Sequence, residues 1–217
     1  MNAPVAAPVA PSSWHMLRAL GGVGTLCGLL IAVVFQGTLP TIERNKAAAL
    51  EKAVLKVLPG AVSQRPLETA SLPSGLYAGY AADGRLVGVA VEAAGQGFQD
   101  KIRLLYGYNP ATQRVVGMEV LESRETPGLG DKIMLDADFI ANFAALDVRL
   151  DDAGGGLRHP VEAVKKGAKE HPWQVDGITG ATISAVAVAD IVGASAARAL
   201  PAIKAHLRTE EKGDRDG

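Results

Sequence analysis

A lone cysteine, Cys27, among 217 residues excludes an internal disulfide, and four histidines in no ligand-like spacing exclude a structural zinc site or any other predictable metal centre. Aromatic residues are also scarce, with two Trp, four Tyr and four Phe, and neither sign of charge is in excess: 22 Lys and Arg face 23 Asp and Glu. A chain of net charge −1 with few rings to stack on has no electrostatic field for a polynucleotide, so nucleic-acid binding is excluded as a leading function. The length suits one medium core with an accessory segment.

What the chain does have is a long stretch without charge. The 24 residues between Arg18 and Glu43, ALGGVGTLCGLLIAVVFQGTLPTI, would form a helix about 36 Å long, enough to span a hydrocarbon core of about 30 Å with some tilt. A cleaved signal is disfavoured because no small-x-small site follows, and lipidation of Cys27 is disfavoured because Leu26 precedes it. Orientation stays open on charge alone. The N-terminal flank carries Arg18, whereas the other flank carries Arg44, Lys46, Lys52 and Lys56, which by the positive-inside rule would put the following domain in the cytoplasm. A following segment as long as a whole domain escapes that rule.

After the anchor, Ala47, Leu50, Val54, Val57 and Leu58 recur at helical spacing up to Pro59-Gly60, which predicts an amphipathic stalk. Four strand-like runs follow: 75–81, 85–93, 102–108 and 114–123, the first pair joined at Asp83-Gly84 and the second by NPATQ. Residues 136–146 read as helix, 148–166 as containing at least one short strand, and Thr182 to about Ala199 as a buried helix rich in Ala, Val and Ile. Strands followed by helices without regular alternation predict an α+β fold on a mixed or antiparallel sheet. The domain layout is a flexible tail at 1–16, a transmembrane anchor at 17–42, a stalk at 43–60, one globular domain at 61–208 and a disordered tail at 209–217.

Three glycine-rich segments exceed ordinary turns. In DGITGATIS, 176–184, Gly180 and Ala181 leave the backbone open to close approach, Thr179, Thr182 and Ser184 add hydroxyls, and the amides of a helix start favour an anion. A plain N-cap explains the same residues. No Lys follows the glycine as in a P-loop, and no dinucleotide fingerprint is present. In ESRETPGLGDKI, 122–133, Pro127, Gly128 and Gly130 end a strand in a low loop that could lie against a planar ligand, or that merely takes positive φ. In AAGQGFQDKI, 93–102, Gly95 and Gly97 break two strands, by itself a weak signal.

Anchor, GQGFQDKI, ETPGLGDKI and DGITGATIS, in that order, resemble the covalent-FMN G subunit of the Rnf electron transport complex. The C subunit of the sodium-translocating NADH:quinone reductase shares the domain but is typically longer. The resemblance implies FMN joined by a phosphoester to Thr182, the last residue of the run Thr179-Gly180-Ala181-Thr182. It further implies flavin contacts at Gly97, Glu125, Thr126, Gly128, Leu129, Gly130 and Ser184, and a role for Asp176 in capping its turn or in being read by the flavin transferase that installs FMN from FAD with magnesium. Implied as well are neighbouring subunits, the lipid bilayer, coupling of ferredoxin to NAD, and a single pass through the inner membrane with the flavin domain outside the cytoplasm. No residue is a conventional catalyst, because the cofactor performs the chemistry.

Glu122, Glu125 and Asp131 lack a matching base and read as loop carboxylates, while Trp173 and Phe98 read first as packing and second as flavin shields. His159 and His171, each before a proline, read as structural, and the tyrosines as sheet-face residues. Three other readings stay open: a flavoprotein serving another reductase, a component like the quinone reductase's C subunit, and a non-redox anion-binding module on a membrane anchor.

Overall fold

A computed structural model describes residues 13–67 and 72–213, the side chains of 210–213 excepted, and among the described residues lie eight strands, four α-helices and one 3-10 turn. Of the tails expected at 1–16 and 209–217, residues 1–12 and 214–217 lie outside the described residues. Two units divide the chain, Met1–Ala48 and Ala49–Gly217.

Helix α1, Ser13–Val57, is continuous where the sequence suggests an anchor followed by a separate stalk, and it begins inside the expected N-terminal tail. Pro40 lies within it, and a proline there removes only the N–H that would reach the Gln36 carbonyl. In the turn before the proline the Thr38 hydroxyl donates to the carbonyls of Val34 and Phe35 at 2.9 and 3.1 Å. From 13 to 48 every side chain is exposed, including Leu20, Ile31 and Phe35. A helix this long and apolar, with no core of its own to enter, is able to cross a membrane.

In the second unit the expected runs form an antiparallel meander. Strands β1 (Ser63–Pro66), β2 (Leu76–Tyr80), β3 (Leu86–Gln96), β4 (Lys101–Asn109), β5 (Arg114–Glu122) and β6 (Leu146–Asp147) lie side by side in chain order. Gly84, at φ 83°, closes the β2–β3 hairpin, as Asp83-Gly84 suggests. The Asn109 side chain accepts from the amides of Ala111 and Thr112 and closes β4–β5. Gly95 does not break a strand, contrary to the sequence reading. It sits inside β3 opposite Ile102, and the space its missing side chain leaves is filled by Ile191, whose Cγ1 would lie 2.4 Å from a Cβ there.

A short helix, α2 (Lys132–Leu135), precedes the region expected as one helix, 136–146, and that region itself divides into α3 (Ala137–Ala141), a single 3-10 turn at 142–144 and the start of β6. Asp136 separates α3 from α2, because its side chain accepts the Phe139 amide and caps α3. Strands β7 (Glu162–Val164) and β8 (Gln174–Asp176) pair in parallel as a separate ribbon. Helix α4, Thr182–Gly213, starts as expected and runs past Ala199 and Pro201 into the stretch expected to be a tail. It too is long and apolar, but 61% of its apolar window is buried against its own domain, which identifies it as a core helix.

Alternation along the strands gives the sheet two packed faces. Val89, Val91 and Ala93 of β3 and Ile102, Leu104, Tyr106 and Tyr108 of β4 join one core with Ala185, Val188, Val192 and Ala196 of α4. Ala90 and Leu105 point the other way, onto Ala53, Val54, Val57 and Leu58. That second face is paved with glycine: a Cβ on Gly107 would stand 1.9 Å from the Val57 carbonyl oxygen, and one on Gly79 would stand 2.5 Å from Leu58 Cδ1. The helix end therefore meets bare backbone. On the α4 face, burial pushes the Tyr108 hydroxyl up to about 12 and raises Tyr106 further, and Tyr106 hydrogen-bonds Ser195 at 3.1 Å.

Candidate functional site

The three glycine-rich segments meet around one buried carboxylate. Glu125 is 6% exposed. Its Oε1 accepts the Gln99 amide at 3.0 Å and its Oε2 accepts the Ser184 hydroxyl at 2.5 Å, so one side chain ties the loop after β3, the loop after β5 and the start of α4 together. Gly97 and Gly130 are the residues that make room for it: a Cβ on either would come within 2.6 Å of its oxygens. Thr126 adds a hydrogen bond of 2.6 Å from its hydroxyl to Gln99 Oε1. Gly128 takes φ 77° at the tip of the loop, where Leu129 stands exposed.

This arrangement revises two sequence readings in physical detail. Ser184 does not add its hydroxyl to the surface beside Thr182. Two residues along a helix turn a side chain by about 200°, so Ser184 points inward and Thr182 outward. Asp176 does not close a turn of its own. Its carboxylate accepts the Gly167 amide at 2.7 and 2.9 Å, while Asn142 receives the Asp176 amide and donates to its carbonyl. Lys169 also donates to Asn142 Oδ1 at 3.0 Å, and burial lowers its pKa more than Asp176 raises it.

Thr179, Gly180 and Thr182 are exposed and Ala181 is buried, at the point where the chain enters α4. Among the described residues no acceptor is paired with the backbone amides of Thr182, Ile183 or Ser184; the next amide, Ala185, donates to Ala181. Gly180, at φ 83°, supplies the left-handed turn that precedes those amides. Beyond them lies a groove of about 370 Å³ between the end of β3 and α4, with Gly95, Gly97, Ile183, Val186, Asp190 and Arg198 on its walls. Asp131, in the GLGDK run, keeps a buried Oδ1 without a hydrogen-bond partner.

Phe98 and Leu129 stand exposed in the loops of this region, while Trp173 sits elsewhere, sandwiched between His159 and His171 at centroid distances of 3.9 and 4.4 Å. Gln99, Lys132 and Asn142 escape the sequence reading. Gln99 and Lys132 lie inside the motifs GQGFQDKI and ETPGLGDKI, but nothing local reveals where their side chains reach. Asn142 lies in a segment that reads as plain helix. Among the described residues no group of three His, Cys, Asp or Glu residues could hold a metal ion.

Comparison with known proteins bears on the family and the fold. The model of the FMN-binding domain family matches residues 97–197, a span that opens at Gly97 and includes Glu125 and the start of α4. The G subunit of the ion-translocating oxidoreductase complex of Methanosarcina acetivorans is 28% identical over 177 residues, covering 77% of this chain and 84% of that protein. The corresponding G subunit of Shewanella oneidensis is 30% identical over 179 residues, covering 73% of this chain and 76% of that protein. Among solved structures, the C subunit of the Na+-translocating NADH-quinone reductase from Parabacteroides distasonis superposes with a TM-score of 0.55 at 17% identity, covering 74% of this chain and 94% of that one, a likeness of fold. The anchor-length apolar helix, the ordered motifs and this coverage at 30% identity establish that the chain belongs to the family of G subunits of the ion-translocating oxidoreductase complex.

Proposed function

We propose that this chain is the membrane-anchored flavoprotein subunit of an ion-translocating electron transport complex and carries its FMN as a phosphoester on Thr182. The observation that carries the reading is the start of α4: an exposed hydroxyl on the first residue of a long buried helix, beside three amides without acceptors. The residues present fit the cofactor. Gly97 and Gly130 hold the two loops close, and the groove has an apolar floor.

Each part of the chain has a task in this account. The amides of Thr182, Ile183 and Ser184, at the positive end of the helix dipole, would bind the phosphate. Glu125 holds both loops to α4 and so fixes Thr126, Gly128, Leu129 and Gly130 relative to Thr182. Leu129, Ile183 and Val186 offer exposed apolar surface for the ring system and exclude water from it. Asp176, Thr179, Gly180 and Ala181 shape the turn that presents the hydroxyl. Bound FMN supplies the redox chemistry, accepting and passing electrons.

Attachment is a phosphoryl transfer from FAD by a flavin transferase. In this transfer a bond would form between Thr182 Oγ and the flavin-side phosphorus as the pyrophosphate P–O bond broke, AMP would leave with the electron pair, and the hydroxyl proton would pass to solvent. No electrons change hands. We place the anchor at 17–42, the stalk at 43–60 and the flavin domain at 61–208, in the inner membrane in a single pass with the flavin domain outside the cytoplasm. Ferredoxin and NAD are the redox partners of the assembled complex in this reading.

The test is the full chain coexpressed with a flavin transferase and run on a denaturing gel under ultraviolet light. Fluorescence should stay with the wild-type band and with Thr179→Val, and disappear in Thr182→Val, whose side chain is nearly the same shape. Fluorescence retained by Thr182→Val would place the linkage elsewhere.

A further inference from the structure

We infer that Lys132 is the counter-ion of the phosphoester at Thr182 and the residue that positions the phosphoryl group while the ester forms. The inference rests on the proposed attachment of FMN at Thr182. Lys132 opens α2, two residues after Gly130, and its backbone is fixed at both ends: its amide donates to the Leu129 carbonyl at 3.3 Å and its carbonyl accepts the Asp136 amide at 2.8 Å. From there the side chain reaches the start of α4, where Nζ lies 3.7 Å from the point at which a Cβ on Gly180 would stand. Gly180 has no side chain to keep the ammonium away from the turn that presents Thr182.

The ammonium is also unspent. Lys56 pairs with Glu119, Lys166 lies 3.8 Å from both Asp136 and Asp138, and Lys169 donates to Asn142. The side chain of half-buried Lys132 has no ion pair and no hydrogen bond among the described residues. Neither Asp176 nor Glu125 forms an ion pair with it; their oxygens accept instead from the Gly167 amide and from the Gln99 amide and Ser184 hydroxyl. Asp131, beside it in the chain, has one buried oxygen without a partner and forms no ion pair with it.

A phosphodiester brings one full negative charge to this turn, and the three amides offer only partial charges in return. A lysine ammonium is a compact point charge that binds phosphate without demanding one geometry, which suits a group that must be held both during transfer and afterwards. During transfer Lys132 would neutralise the non-bridging oxygens as the Thr182 Oγ–P bond forms and AMP departs. It touches the reacting phosphoryl group but neither gives nor takes the proton.

The experiment measures covalent flavin on the full chain against time, with purified transferase, FAD and magnesium, for wild type, Lys132→Met and Lys132→Arg. Loss of one charge-assisted contact should slow labelling of Lys132→Met by roughly tenfold or more, and Lys132→Arg should recover most of the rate. The thermal midpoint of the unlabelled proteins should be the same, and the 31P resonance of labelled Lys132→Met should be displaced from that of wild type; a merely structural lysine would move the midpoint and leave the resonance alone. Lys132→Met labelled at the wild-type rate would overturn the inference while leaving attachment at Thr182 intact. Wild type left unlabelled by an active transferase would overturn both.

A second measurement needs no variant and decides the matter if Lys132→Met fails to fold. Wild-type protein, with and without its FMN, is treated with an amine-acylating ester and digested. Acylation of Lys132 should fall several-fold on loading while that of exposed Lys165 stays constant. Equal acylation of Lys132 in the two forms would overturn the inference.

Discussion

Replacing Gly107 by alanine tests the contact between the end of α1 and the sheet. The new Cβ would stand 1.9 Å from the Val57 carbonyl oxygen, 2.8 Å from its carbon and 2.9 Å from Leu58 Cδ2. A relaxed carbon-to-oxygen approach is about 3.3 Å, so the Val57 backbone must retreat by about 1.4 Å. Backbone cannot rotate away as a side chain end can, and the same carbonyl faces Gly117 on the next strand, where a Cβ would be 2.8 Å distant. Overpacking costs about 1–3 kcal/mol, and this case belongs at the upper end. Alanine recovers roughly 0.5–1 kcal/mol through the less flexible unfolded chain, which leaves a net loss of about 2 kcal/mol. For a domain of this size that lowers the melting temperature by roughly 4–8 °C. The assay is thermal unfolding of the detergent-purified full chain by circular dichroism, with Gly155→Ala as control, since nothing lies within 4 Å of its Cβ position. The seat lies on the sheet face away from α4, so the variant should still accept covalent flavin at low temperature. A Gly107→Ala midpoint within about 1 °C of wild type would refute the packing argument.

Two further outcomes follow from named contacts. Glu125→Gln presents an amide nitrogen where a carboxylate oxygen now accepts, so either the Gln99 amide or the Ser184 hydroxyl loses its acceptor; stability should drop by about 1–3 kcal/mol and covalent labelling should slow, as read by chemical denaturation and the gel assay. Burial pushes the Asp147 carboxyl up, but hydrogen bonds from the Arg149 side chain and backbone outweigh this and hold it below the ordinary carboxylate range. A lowered folded-state pKa means that its stabilisation is complete above the ordinary carboxyl value and is lost as pH falls through the folded-state one. Asp147→Asn should therefore cost roughly 1–2 kcal/mol near neutral pH and almost nothing in strong acid, measured by denaturant titration across that range.

Much of the architecture is legible in the sequence because it is written in periodicities. Alternation in 85–93 and 102–108 marks the central strands, and the α4 stripe of small apolar residues marks a buried helix. Long-range partners leave no such trace. Gly95 looks like a strand breaker until Ile191 is found filling its place. Residues 136–146 have helical composition, and only the cap that Asp136 gives Phe139 and the pairing of Leu146 with Val115 set where the helix starts and where it yields to a strand. At the site, the motif spacing points to Thr182, whereas the inward turn of Ser184, the Asp176 contact with Gly167 and the approach of Lys132 depend on segments far apart in the chain.

The central claim is a flavin mononucleotide esterified to one threonine, and peptide mass spectrometry of the full chain after coexpression with a flavin transferase tests it most directly. The account predicts an added mass of FMN less one water, about 438 Da, on the peptide that contains Thr182, with fragment ions locating it on that residue. An unmodified Thr182 peptide, from a preparation in which the transferase labels a known acceptor, would contradict it.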